Sequence, residues 1–547
     1  MKKSGLFCLL ALMVMACTQH PVADQTITGK IWTGNPDQPY SEAMAIRGDS
    51  VVAVGTVAEI EKWQGEATVQ MEAKAGQLIV PGFIDTHTHF VEGGFRLMSI
   101  QLRDAKTRNE FIERFKSYVA KLSPGTWITG GDWDHQNWGG ELPTREWIDS
   151  VTQNNPVWVN RLDGHMSLAN TAALKATGVS DQAKDVAGGA IVRNKKGKLT
   201  GVFKDNAESL VNSQTPKPPA NQEDLALDTA MHYVASKGVT SIHNMGGYVE
   251  TFERAHIAKK MITRIYSIIT LSKWSELKAK VDQQGFGDKW LRIGGLKGFV
   301  DGSLGSHTAA FFKPYLDSPS DSGFFITPEK DLYDWTYAAD KAGLQVMIHA
   351  IGDKAIHTLL NIYERVENEN GPRDRRFMIE HAQHIAPADI PRFVDLDVIA
   401  SMQPYHAIDD GRWAEKFIGL ERCKTTYAFR SLLDAKARVV FGSDWFVAPP
   451  TPLEGIYAAV TRRTLDDKNP NGWMSEQKIS VEQALRAYTI DAAYSSFEEK
   501  IKGSLEPGKL ADFVLLDADI TTLAPEKIRD VKVVMTVVGG KIVFAGR

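Results

Sequence analysis

The chain has 547 residues, 43% of them hydrophobic and 24% charged, and carries a formal net charge of −4. This length exceeds what one hydrophobic core usually serves, and the composition is that of an ordinary globular protein. No basic excess exists to neutralise phosphates, so nucleic acid is excluded as the main partner, while small-molecule substrates stay open.

Residues 1–17 read as an export signal. Lys2 and Lys3 precede an apolar run from Leu6 to Ala16. The run is too short to span a bilayer, which takes about 20 residues, but it suits the core of a signal peptide. It ends in Val14-Met15-Ala16-Cys17, which resembles the lipobox of bacterial lipoproteins. The resemblance implies a lipid anchor on Cys17 as the mature N-terminus; the alternative is a plain secretory peptide with a chance cysteine. Thr18 in place of Asp implies, by Gram-negative sorting rules, an outer-membrane anchor facing the periplasm. Of three cysteines, Cys8 would then be removed and Cys17 lipidated, leaving Cys423 alone. The mature chain therefore has no internal disulfide and no cysteine metal cluster, and must rely on its core.

Residues 18–25 read as a tether. Residues 26–80 alternate in a strand-like way, as in Ala43-Met44-Ala45-Ile46-Arg47. The C-terminal stretch 501–547 alternates in the same way. Ala511 to Leu516 reads as a strand, and Val533–Val538 and Lys541–Phe544 flank a Gly539-Gly540 turn. The pattern predicts that 18–80 and 501–547 pair into a small β-sandwich domain.

Between them, over 81–500, apolar strands alternate with helical patterns, which predicts a parallel sheet covered by helices. Eight strands are expected, at Leu78–Asp85, Thr240–Asn244, Arg264–Thr270, Ile293–Val300, Gln345–His349, Phe377–His381, Val398–Gln403 and Val439–Asp444. Eight closes a TIM-type (β/α)8 barrel. About 155 residues separate the first two strands, too many for one crossover helix, so 91–238 must contain an inserted subdomain rich in Trp and Gly.

The strongest local signal is Pro81-Gly82-Phe83-Ile84-Asp85-Thr86-His87-Thr88-His89. On an extended backbone His87 and His89 point the same way and can chelate one metal. His349, His381 and Asp444 each end another apolar strand. All strand ends of one sense share a barrel's mouth, where active sites are built. Five such residues at that mouth are hard to explain by packing alone.

On these residues the chain resembles the amidohydrolase superfamily, in the branch called amidohydrolase family 3. The resemblance rests on the 81–89 motif, Val-Asp-Gly-Ser-Leu-Gly-Ser (300–306), His-Ala-Ile-Gly-Asp (349–353), Ile-Glu-His-Ala-Gln (379–383), Gly-Ser-Asp-Trp (442–445) and the stretch 503–514. It implies one divalent metal on His87, His89 and Asp444 and a second on His349 and His381. Lys297, carboxylated by CO2, would bridge them; the alternative is an ordinary lysine paired with Asp301. Two zinc ions are the default for these donors, iron and manganese are compatible with them, and a mononuclear site on the same histidines remains open. The implied reaction is attack of metal-bound hydroxide on the carbonyl of an amide, N-acyl, formamide or cyclic amide group, with Asp444 moving the proton. His165, in Asp163-Gly164-His165-Met166, is implied as a hydrogen-bond donor to the carbonyl oxygen, or else as a structural histidine. Trp133, His135, His307 and Arg412 are weaker substrate-binding candidates: Trp133 and His135 as part of a lid, with the core of the inserted subdomain as the favoured alternative, and Arg412 as a contact for a substrate carboxylate. Lactonase, deaminase and decarboxylase chemistry on the same scaffold, and a ligand-binding lipoprotein without chemistry, are the alternatives. Dimers are common in the branch, and the sequence leaves the oligomeric state open.

Overall fold

A computed structural model describes residues 22–546. The expected export signal, with Cys8 and the expected lipid site at Cys17, lies outside the described residues. Among the described residues, no helix is long and apolar enough to cross a membrane.

Eight parallel strands follow one another round a barrel: β1 Phe83–Thr88, β2 Val239–Asn244, β3 Arg264–Thr270, β4 Leu291–Phe299, β5 Gln345–Ala350, β6 Met378–His381, β7 Ile399–Met402 and β8 Val439–Phe441. Neighbours pair in register, for example Lys297 with Met347 and Ile348 with Ile379. The strands are nearly continuous apolar runs because helices cover their outer face. Between β8 and β1 the ring is closed by the segments that follow the two strands. Asp444 N donates to His87 O at 2.7 Å, and His89 N donates to Trp445 O at 2.5 Å. The Asp85 carboxylate accepts from Ser443 N and Oγ at 2.8 and 2.5 Å. The closure therefore runs through the two motifs richest in candidate ligands.

One expected strand is in fact two. Leu78–Pro81 pairs antiparallel with Phe513–Leu516 in the terminal sheet, and Phe83–Thr88 enters the barrel. Gly82 is the junction; a Cβ there would lie 2.2 Å from Thr240 Oγ1, so only glycine lets the chain pass.

Inside the barrel the floor is apolar, with Ile268, Met347, Met378, Ile399 and Val440 in one cluster. Two residues further along their strands, Met347 and Met378 give way to His349 and Glu380. The change from apolar to ligand-bearing layers thus follows strand direction.

Both ends of the chain share an eight-stranded sheet, in which Gln25–Trp32 lies beside Leu78–Pro81 and Val533–Val538 lies beside Phe513–Leu516. One core joins them: Ile27, Ile31 and Met44 pack with Leu505, Phe513 and Val537. The hairpin Val533–Val538/Lys541–Ala545 turns through Gly539 and Gly540, both at positive φ (55° and 72°), as a two-residue type I′ turn requires.

Between β1 and β2 a six-stranded sheet spans Ile100 to Asp205. It carries its own cores, one on Phe111, Phe115, Trp133 and Trp147 and another on Trp158, Leu174 and Phe203. Its return strand, Leu199–Asp205, ends beside the barrel mouth.

Candidate metal centre and substrate pocket

His87 and His89 extend from β1, Lys297 from β4, His349 from β5, His381 ends β6 and Asp444 follows β8. The structure brings all six to the mouth. His87 Nε2 lies 3.2 Å from Lys297 Nζ and 3.4 Å from Asp444 Oδ1, which is also 3.4 Å from His89 Nε2. The His87–His381 and His349–His381 rings are 4.9 and 4.5 Å apart. Donor atoms of His87, His381 and Asp444 all fall within 4.8 Å of one another.

Hydrogen bonds fix which nitrogen of each imidazole faces inward. His87 Nδ1–H donates to Glu380 Oε2 at 2.5 Å, freeing Nε2. His381 Nδ1–H donates to Gln403 Oε1 at 2.8 Å, freeing Nε2. His349 uses Nε2–H on Gly302 O at 3.2 Å, freeing Nδ1. Anchoring one ring nitrogen so that the other presents a lone pair is how proteins orient imidazole ligands. Burial holds His87, His349 and His381 well below the ordinary histidine range, so all three are neutral and able to donate. Asp444 Oδ1 is buried without a hydrogen-bond partner. A carboxylate oxygen left bare among neutral imidazole lone pairs is costly unless a cation joins them, so the donor set fits a divalent metal.

Strand alternation would send Glu380 and His381 to opposite faces. His381 and Ala382 sit at φ 71° and 42°, and Asp444 at 60°. This left-handed backbone at the strand ends turns His381 and Asp444 to the mouth, a strain of the kind found at functional sites.

Lys297 is buried, and burial draws its amine down to about 8 against the pull of Glu380 and Asp444. Asp301 is not its partner: its carboxylate accepts from the backbone N–H groups of Ala310, Ile351 and Gly352 at 2.8–3.0 Å.

Over the metal centre lies a narrow chamber of about 60 Å³, lined by the barrel's His349, His381, His406 and Asp444 and by Arg161, Asp163 and His165 of the insert. His165 is 5.3 Å from His349, ring to ring. Its Nδ1–H donates to Asp205 Oδ1 at 2.7 Å. Burial disfavours the imidazolium, but Asp205 outweighs it and raises His165 to about 9.

The weaker candidates lie elsewhere. Trp133 is fully buried in the insert core, with Nε1–H on Val159 O at 3.0 Å. His135 stands behind Arg161, whose Nε–H it accepts at 3.3 Å. His307 pairs with Asp317 at 3.0 Å between the rings of Tyr315 and Phe417. Arg412 is turned onto Asp409, so its guanidinium does not await a substrate carboxylate. None of the four lines the chamber, although Asp134, Gly305, Asp409 and Trp413 beside them do.

The sequence reading missed Glu380, Arg161, Asp163, Asp205 and His406. Glu380 stood inside the Ile-Glu-His-Ala-Gln motif, and a strand-end carboxylate beside a histidine ligand was its available signal. Asp205 carries no local signal, because its partnership with His165 spans 40 residues.

A parallel barrel whose mouth gathers buried neutral imidazoles round a bare carboxylate defines a metal-dependent hydrolase of the TIM-barrel class. The chain belongs to the amidohydrolase family, whose model matches residues 75–544. It is 40% identical to Protein LONG AFTER FAR-RED 3 of Arabidopsis thaliana, over 96% of this chain and 92% of that one. It is 27% identical to the N-substituted formamide deformylase of Arthrobacter pascens, over 94% and 97%. Among solved structures, a metal-dependent hydrolase from Pyrococcus horikoshii superposes with a TM-score of 0.74 at 27% identity, covering 92% of this chain and 99% of that one.

Proposed function

We propose that the protein hydrolyses the C–N bond of a small neutral amide, with an N-formyl or similarly compact acyl group at the metal centre. The carrying observation is Asp444 Oδ1, buried and unpartnered, 3.4 Å from both His87 and His89. The narrow chamber supports a compact acyl group. The chamber's Arg161 is already paired with Asp163 and Asp134, which supports a substrate without a carboxylate of its own. Similarity to an N-substituted formamide deformylase supports a formamide or related amide.

His87, His89 and Asp444 would hold one metal and His349 and His381 a second, with a carbamate on Lys297 between them. Lys297 suits carbamate formation, since a buried amine drawn down to about 8 has a substantial neutral fraction able to attack CO2, releasing one proton. Divalent metal at this place supplies Lewis acidity, acidifying a water and polarising a carbonyl oxygen. Asp444 accepts the proton of the attacking water and returns it to the leaving nitrogen. His165 gives Nδ1–H to Asp205, so its Nε2 carries a proton only as imidazolium; in that form it donates to the carbonyl oxygen as charge develops there. Arg161 is tied at every nitrogen, to Asp163, Asp134 and His135, and shapes the wall instead of contacting charge on the substrate. We further propose that the protein works at the periplasmic face of a Gram-negative outer membrane, anchored through Cys17, a reading that rests on the sequence of residues 1–18.

The test is carboxylic acid release, followed by proton production, from a panel of N-substituted formamides, acetamides, N-acyl amino acids and lactones, with and without chelation. Chelator-sensitive turnover of neutral formamides above the carboxylate-bearing substrates is expected. Turnover of lactones alone, or turnover indifferent to chelation, contradicts the proposal.

A further inference from the structure

The segments Arg161–His165 and Asp444–Val447 form a partition. Arg161, Asp163, His165, Asp444 and Val447 face the metal chamber. Asn160, Gly164 and Phe446 face a second cavity, of about 310 Å³, between the insert and the helix Phe90–Met98. Phe446 is the shared wall, its ring 5.7 Å from that of His89.

Three features of the second cavity point to one ligand chemistry. Its apolar surface is aromatic, with Phe95, Trp158, Tyr248 and Phe446. Arg96 already lies 4.5 Å over the Phe446 ring, so this surface accepts cations. Its charge is acidic: Glu92 and Glu208 line it, while the charge of Arg96 is met by Asp132 at 3.0 Å. Two acceptors on its lining residues lack donors, whereas Glu208 accepts from Ser167 and Arg96 Nε is held by charge to Asp132. Glu92 Oε2 is buried with no hydrogen-bond partner. So is Oδ1 of Asn160, a residue more than nine-tenths buried. The Asn160 amide cannot be turned round to relieve this, because its Nδ2 donates to Asp132 Oδ1 at 2.9 Å and Arg161 O at 2.7 Å, both acceptors. Buried acceptors without donors are rare in folded proteins, and two in one cavity mark a place where N–H groups are wanted.

We propose that this cavity is a binding site for a primary ammonium ion carrying an apolar or aromatic body, distinct from the metal chamber. The ammonium supplies N–H donors to Glu92 and Asn160, and the body lies against the aromatic rings. A neutral alcohol lacks the charge, and a quaternary ammonium lacks the donors. Burial, with Asp205 and Asp163 nearby and opposed by His165 and Ser167, pushes the Glu208 carboxyl up to about 8, so the cavity is most acidic above that pH.

The experiment is isothermal titration of the metal-loaded protein at pH 8.5 with 2-phenylethylammonium, 2-phenylethanol and benzyltrimethylammonium. The ammonium is expected to bind at least about tenfold more tightly than either other probe, each tenfold being about 1.4 kcal/mol. Glu92→Gln and, separately, Glu208→Gln should each weaken it by about tenfold, while His349→Ala, across the partition, should leave it unchanged. Equal affinity for all three probes, or no binding, overturns the site even if neither glutamate variant folds. Loss of binding in a folded His349→Ala protein would move the ligand to the metal chamber and overturn it equally. None of these outcomes depends on turnover, so the site stands or falls apart from the proposed reaction.

Discussion

The barrel half of the pocket and the inserted half are built on different principles. In the barrel half, each functional side chain extends from a strand or its end, and the spacing of β1, β5, β6 and β8 sets where His87, His349, His381 and Asp444 meet. In the inserted half, Arg161 ends a strand and Asp163 and His165 stand on the turn that follows it, held by partners distant in the chain: Asp205, Ser303 and Asp134. The difference teaches a division of labour. Donors that must satisfy a metal's fixed geometry sit on the rigid sheet; the groups proposed to face the substrate sit on a segment that can vary without disturbing the barrel.

Substitutions on the two halves should therefore separate metal binding from turnover. The largest effect is expected at Asp444→Asn, which removes both a ligand and the proton carrier. The kcat of the most active amide should fall by about 10⁴-fold, at the upper end for a general acid–base, and a fall below tenfold would break the assignment. His165→Ala should lower kcat by about 10²–10³-fold with metal content unchanged, as for loss of an oxyanion donor. Loss of metal in that variant would show that the insert belongs to the metal site and would erase the contrast.

Asp205→Asn sharpens the same comparison through pH. His165 is raised to about 9 by Asp205. Its folded value lies above its ordinary one, so its stabilising contribution is full below about pH 6.5 and is lost as pH rises through about 9. Activity that needs Nε2–H should show an alkaline limb near pH 9. Without the Asp205 charge that limb should move to lower pH, with roughly a tenfold loss of rate above neutrality. An unmoved limb in Asp205→Asn would assign it to another group. The smallest effect on catalysis is expected at Trp133→Ala. Thermal or denaturant unfolding should reveal a loss of about 3–5 kcal/mol from the insert core, while KM of the folded fraction stays unchanged.

The barrel half was legible because its signals are local. An apolar run ending in His or Asp announces itself, and eight apolar runs, four of them ended so, fix the class of fold. The split of Leu78–Asp85 into two strands was not legible, since Leu78–Val80 and Phe83–Ile84 are equally apolar and only the sheet each edge joins tells them apart. Trp133 and His135 suggested a lid because Trp and His suit both binding surfaces and cores; burial alone decides between them. The orienting contacts of Glu380, Gln403 and Asp205 were invisible for a different reason. Glu380 and His87 stand 293 residues apart, and nothing in either neighbourhood names the other.

The most direct test is metal content per chain by elemental analysis, for the wild type and Lys297→Ala, after reconstitution with zinc and bicarbonate. Near two metals in the wild type, falling to one or fewer in the variant, is the expected result. No metal in the wild type would contradict the metal centre itself, and near one metal in both proteins would remove the lysine bridge.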